Sequence, residues 1–213
     1  MIGPSLAAFA INAFVTLFVT IGPVETAAVY AALTSGVHLP QRGALAWRSV
    51  SIAGAMLGAF AVGGGPVLGA LHVSSSAFRF AAGVLLFLQA VALVFGGRTG
   101  MSSISASEQR DALRPGDIAV FPLAFPLIAG PGSLAAIVVL AGEADGLALA
   151  VVFGALIICL MLTFIALRTA EHLGRLLGVT GADVVGRVSG ILLAALAAQF
   201  IFDGLKGAAL FGN

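Results

Sequence analysis

The residues able to do chemistry in this chain sit at two proline-bearing interruptions of apolar runs. The first is Thr20-Ile-Gly22-Pro23-Val-Glu25. The second is Phe121-Pro-Leu-Ala-Phe-Pro-Leu-Ile-Ala-Gly130-Pro131-Gly132-Ser133, with three prolines and two glycines. Proline removes a backbone donor and clashes with the preceding turn, so a continuous helix through Pro131 would cost about 3 kcal/mol or more. In a bilayer the freed groups find no water, and an interruption survives where protein or a wet cavity satisfies it. A half-helix that starts after such a break presents unpaired N–H groups with partial positive charge, which suit a carboxylate. Gly130 and Gly132 let the backbone approach a ligand closely, and the Ser133 hydroxyl can donate to a carboxylate. The ammonium group of a zwitterion would find a partner in exposed carbonyls, Thr20 or Glu25. Gly22-Pro23 and Gly130-Pro131 are therefore expected to bind a small polar solute.

Glu25 carries a second expectation. Carboxylates inside a membrane are costly and usually functional, so Glu25 is a candidate proton carrier or cation contact. The alternative is a carboxylate that reaches water or pairs with Arg48. Gln199 lies mid-span and is expected to face the bundle interior, because an amide is unfavourable in lipid. Asn12, Gln89 and Thr163 read as contacts between helices, and Asp203 is expected to pair with Lys206 at helical spacing.

These groups need elements to hold them, and composition says which. The chain has 213 residues, 60% hydrophobic and 9% charged, against roughly 25% charged in soluble domains. Hydropathy and punctuation predict six membrane spans: 6–33, interrupted at Gly22-Pro23, then 49–71, 78–95, 118–141, 147–167 and 184–205. The polar stretch 97–116 is the expected linker between a first repeat at about 5–96 and a second at about 117–208, with 1–213 forming a single transmembrane domain. The N-terminus lacks a basic segment before its apolar stretch, so that stretch reads as a retained span.

Lysines and arginines cluster on one side. The first, third and fifth connections hold Arg42, Arg48, Arg98, Arg110, Arg114, Arg168, Arg175 and Arg187, and the other side has Arg79 and Lys206. Both termini are thereby expected outside the cytoplasm. One ungapped shift that carries Gly22-Pro23 onto Gly130-Pro131 also carries Arg79 onto Arg187 and Gly96 onto Gly204. Three spans per half is odd, so the halves would insert oppositely. The expected fold is an all-α inverted three-plus-three repeat whose first and fourth helices are broken at Gly-Pro.

Several function classes are excluded. A net charge of +1 gives no basic face for nucleic acid. The lone Cys159 cannot form a thiol pair, and His38, His72 and His172 lack metal-ligand spacing. Ser133 has no histidine at membrane depth to serve as its base, and no P-loop is present. No enzyme activity, metal or cofactor is expected.

Pro122-Leu-Ala-Phe-Pro-Leu-Ile-Ala-Gly-Pro-Gly-Ser133 closely resembles the signature of the MarC family of bacterial inner-membrane proteins. Ala77-Phe-Arg-Phe-Ala-Ala-Gly83 and Gly190-Ile-Leu-Leu-Ala-Ala-Leu-Ala-Ala-Gln-Phe-Ile-Phe-Asp-Gly204 resemble it too. The resemblance covers nearly the whole chain. It implies a transporter of small neutral amino acids, an exporter of the LysE-like group, with Gln199 at a polar position of the last-span motif. Where the family usually carries Asn-Pro or Asp-Pro at the first break, this chain has Gly22-Pro23 followed by Glu25. The other readings are a membrane scaffold or assembly factor without transport, and a transporter of another small polar solute or ion. Oligomeric state is not legible from the chain.

Overall fold

Lipid offers no hydrogen bonds, so a spanning segment must satisfy its backbone internally, and a helix does so within one segment. The computed structural model describes residues 6–34, 39–95 and 118–208, and every regular element among them is helical. In order these are α1 (Leu6–Ile21), α2 (Pro23–Leu33), α3 (Leu39–Ala70), α4 (Ser75–Phe95), α5 (Ala119–Ile128), α6 (Pro131–Gly142), α7 (Leu147–Arg168) and α8 (Ala170–Gly207). Five helical stretches are long and apolar enough to cross a membrane, and α5 with α6 forms a sixth as a pair bent by 57°. The expected linker, 97–116, lies outside the described residues.

Two boundaries differ from expectation. The second span begins at Leu39 rather than Ser49, because Pro40 falls in the first turn, where proline is tolerated. The polar connection expected over 168–183 is helical, with Thr169 alone separating α7 from α8. No proline occurs there to stop the helix, and helical hydrogen bonding does not depend on an apolar surface.

The interruptions at the two Gly-Pro steps differ in kind. Between α1 and α2 a single residue leaves the helix, Gly22, at φ 57 and ψ 64. Only glycine adopts this left-handed geometry without steric cost. Hydrogen bonding runs on through it, from Gly22 N–H to Phe18 and from Thr26 N–H to Gly22. The fourth span is irregular over a longer stretch. Phe121 and Phe125 are extended, each before a cis proline, and the intervening turns are wide, with Ala129 N–H donating to Ala124, five residues back, at 2.8 Å. The bend then falls at Ala129 and Gly130, two Phe-Pro steps beyond where the disruption starts.

Packing follows a reciprocal pattern. α1 and α2 lie against α7, α5 and α6 lie against α3, and α4 lies along α8. Leu17, Leu57, Leu123, Ile137 and Leu156 belong to the main core, and Leu86, Leu193, Ala197 and Phe200 to a smaller one between α4 and α8. The two helices touch at backbone level. A Cβ added at Gly83 would lie 2.9 Å from the Ala197 carbonyl oxygen, and one at Gly190 would lie 3.1 Å from that of Ala90. Outward faces are apolar, including Trp47, Phe60, Phe87, Ile157 and Ile165, which suits lipid as the surrounding solvent. Arg79, at the start of α4, forms an ion pair with Glu143 at the end of α6. This links the third span to the fourth.

Candidate functional site

A break in a helix frees polar groups, and the local sequence here recovers most of them. Beyond Gly22, the Thr26 hydroxyl donates to the Ile21 carbonyl at 3.2 Å. Beyond Gly130, the Ser133 hydroxyl donates to the carbonyls of Ile128 and Gly130 at 2.9 and 3.0 Å. In each case a hydroxyl in the first turn of the new helix reaches five residues back, to the last carbonyl of the preceding segment. Thr20 donates to the Thr16 carbonyl at 2.8 Å.

Between the interruptions lies a cavity of about 180 Å³, lined by residues of α1, α2, α4, α5 and the start of α6. Thr20, Gly22, Glu25, Gly130, Pro131 and Gly132 line it, so the structure brings both Gly-Pro steps to one space. Val19, Leu85, Leu93 and Leu127 give apolar walls. The volume is below the roughly 300–1,000 Å³ of drug-sized pockets and corresponds to about six waters' share of liquid. It suits a solute of a few heavy atoms.

Glu25 occupies the third position of α2 and folds back over the break. A Cβ on Gly22 would collide with its Oε2. An acidic side chain here is favoured by the unpaired N–H groups and partial positive charge of the helix start. The Ser189 side chain of α8 approaches the same carboxyl group. Oε1 is buried without a hydrogen-bond partner. Leaving such an atom unsatisfied costs about 1–3 kcal/mol, and more for a charged group. The α2 start is thus covered by the chain's own carboxyl group. At the α6 start, Pro131 has no N–H and Leu134 bonds back to Gly130, so the N–H groups of Gly132 and Ser133 precede the helical ladder.

Three of the expected site residues do not line the cavity. Pro23 is buried at the first position of α2 and serves as a helix start. Ser133 is 1% exposed, and its hydroxyl is engaged by carbonyls of its own segment rather than directed to a ligand. Gln199 corrects an expectation outright: it lies on an exposed face of α8, not in the interior, and donates to Asp203 at 2.9 Å. The ion pair expected between Asp203 and Lys206 is replaced by this amide contact, since Gln199 sits one turn before Asp203 on the same face.

Gln89 of α4 is the residue the sequence undervalued. It lines the cavity, and its amide oxygen packs so closely on Gly132 that a Cβ there would collide with it. Its signal was a polar side chain within an apolar span, the same signal that drew attention to Gln199. Thr26 also lines the cavity. Among the described residues no cluster of His, Cys, Asp and Glu fit to hold a metal ion occurs.

A family described as "MarC family integral membrane protein" matches residues 7–209. A UPF0056 membrane protein of Archaeoglobus fulgidus is 35% identical over 92% of this chain and 92% of its own length. The UPF0056 membrane protein YvbG of Bacillus subtilis is 29% identical over 93% of this chain and 95% of its own. The UPF0056 inner membrane protein YhgN of Escherichia coli K12 is 28% identical over 92% and 95%. No solved structure matches the chain. With a family match spanning nearly every described residue and all its membrane helices, the chain belongs to the MarC family of integral membrane proteins.

Proposed function

We propose that this protein is a secondary transporter that exports small neutral amino acids across the inner membrane by alternating access. The observation that carries the reading is the cavity bounded by both Gly-Pro interruptions. On one side stands Glu25 with a buried, unpartnered Oε1; on the other stands the amide-bearing start of α6. A zwitterion of a few heavy atoms satisfies both. Its ammonium pairs with Glu25, its carboxylate with the N–H of Gly132, and the Gln89 amide holds it sideways. Because Glu25 already covers the α2 start, the α6 start takes the carboxylate. Glu25 also couples transport to a proton or cation, since the same carboxyl group must lose its partner each time the substrate leaves.

The alternating movement would come from an inverted repeat. The helix pairing supports this: exchanging α1–α2 with α5–α6, α3 with α7 and α4 with α8 carries the most extensive helix pairings onto one another, α1 with α7 onto α5 with α3 and α2 with α8 onto α6 with α4. At residue level, one shift that carries Gly83 to Gly190 also carries Ala90 to Ala197, and these four residues make the two reciprocal backbone approaches of α4 and α8. Reciprocity of this kind is what a two-fold relation between the halves would produce. Both termini would then face outward.

Counterflow in proteoliposomes tests the reading. Vesicles loaded with unlabelled alanine should accumulate labelled alanine in exchange. Folded protein that exchanges none of alanine, glycine, serine or threonine would favour a scaffold role.

A further inference from the structure

We propose that the outward face of α8 is a self-association surface, on which a second copy of this chain docks with the Gln199 amides of the two copies hydrogen-bonded to each other. The inward face of α8 is accounted for: Leu193, Ala197, Phe200 and Gly204 are buried, in large part against α4. The opposite face carries Val188, Ile191, Ala195, Gln199 and Phe202, all exposed, with Ile191 and Phe202 each 60% exposed. These positions recur at steps of three, four, four and three residues, which keeps them on one face of the helix, where a second helix can meet it.

Depth makes Gln199 decisive. The span runs over Val184–Gly207, and Gln199 lies about two turns, roughly 12 Å, inside its end. A hydrocarbon core about 30 Å thick therefore surrounds it if the span is centred. The bond to Asp203 at 2.9 Å uses one N–H. The second N–H and the carbonyl oxygen are left for a partner that lipid cannot provide. The helix that packs along α8 makes the comparison. The shift that carries Gly83 to Gly190 brings Gln199 onto Ala92, and the outward face of α4 is apolar, with Phe80, Phe87, Leu88 and Val91. Lipid alone suits that face.

A second copy is the occupant that fits. Copies inserted in one orientation are related by an axis along the membrane normal, so a pair of α8 helices meets residue by residue at equal depth. Gln199 of each copy then meets its own counterpart. A primary amide is both donor and acceptor, so two of them are self-complementary, and one polar position in an apolar seam sets the register.

The test is oxidative cross-linking of the full chain in native membranes, in a Cys159→Ser background. Ala195→Cys should give a species of twice the chain's mass, and Leu88→Cys, on the outward face of α4, should give none. Single-molecule photobleaching in bilayers should then show a dimer fraction that falls at least tenfold in Gln199→Leu and is retained in Gln199→Asn, with both variants folded by size-exclusion profile. No cross-link from Ala195→Cys, equal cross-linking from both positions, or a product of another mass overturns the proposal. So does a dimer fraction that Gln199→Leu leaves unchanged.

Discussion

Replacing Glu25 by Gln removes a charge and keeps the shape of the side chain. If Glu25 receives the substrate ammonium, the loss is that of a charge-assisted hydrogen bond, about 1.5–3 kcal/mol, or roughly a ten- to hundredfold weaker binding. Its pH dependence should flatten as well; an unchanged rate and pH profile would remove the coupling role. Ser133→Ala should behave differently. Its hydroxyl bonds two carbonyls of its own segment, so its loss should lower stability by about 1 kcal/mol and leave affinity within about twofold. The melting temperature and a binding isotherm separate the two variants. Gly22→Ala should impair both properties, because the left-handed backbone costs about 1–2 kcal/mol for a residue with a Cβ and that Cβ displaces Glu25 Oε2. At this scale, residue type was legible and direction was not. A serine beside Gly-Pro-Gly offers a hydroxyl to either a ligand or its own backbone, and only the five-residue reach to Ile128 decides.

At the scale of elements, the contact between α4 and α8 is set by glycine. Gly83→Val should lower stability by about 1–3 kcal/mol through overpacking, as its side chain meets the Ile201 backbone nitrogen and the Ala197 carbonyl. Gly65→Ala, with open space over it, should not lower it. Thermal unfolding in detergent distinguishes them. The spans were legible because twenty apolar residues have one economical fate in lipid. Two things were hidden. The helical start of α8 is polar, and hydropathy alone cannot tell a polar helix from a polar loop. The orientation of Gln199 was hidden for a related reason: a span apolar on all sides carries almost no amphipathic signal to say which face turns inward. The Phe-Pro steps were visible as prolines, yet their effect, an irregular run before the bend at Gly130, is a property of the folded segment.

For the whole molecule, the arginine distribution predicts both termini outside the cytoplasm. A C-terminal alkaline phosphatase fusion should be active and a fluorescent-protein fusion exported unfolded should be dark; the reverse would invert the topology. If the cavity between the two interruptions is the substrate site, Gln89 and Gln199 should respond differently to substitution. Both are amides within spans, one lining the cavity and the other on the outer face of α8. Equilibrium binding of labelled alanine to the purified protein is the direct measurement. Gln89→Leu should weaken binding at least tenfold while Gln199→Leu leaves it unchanged. Undiminished binding in Gln89→Leu, with loss in Gln199→Leu, would contradict that site assignment.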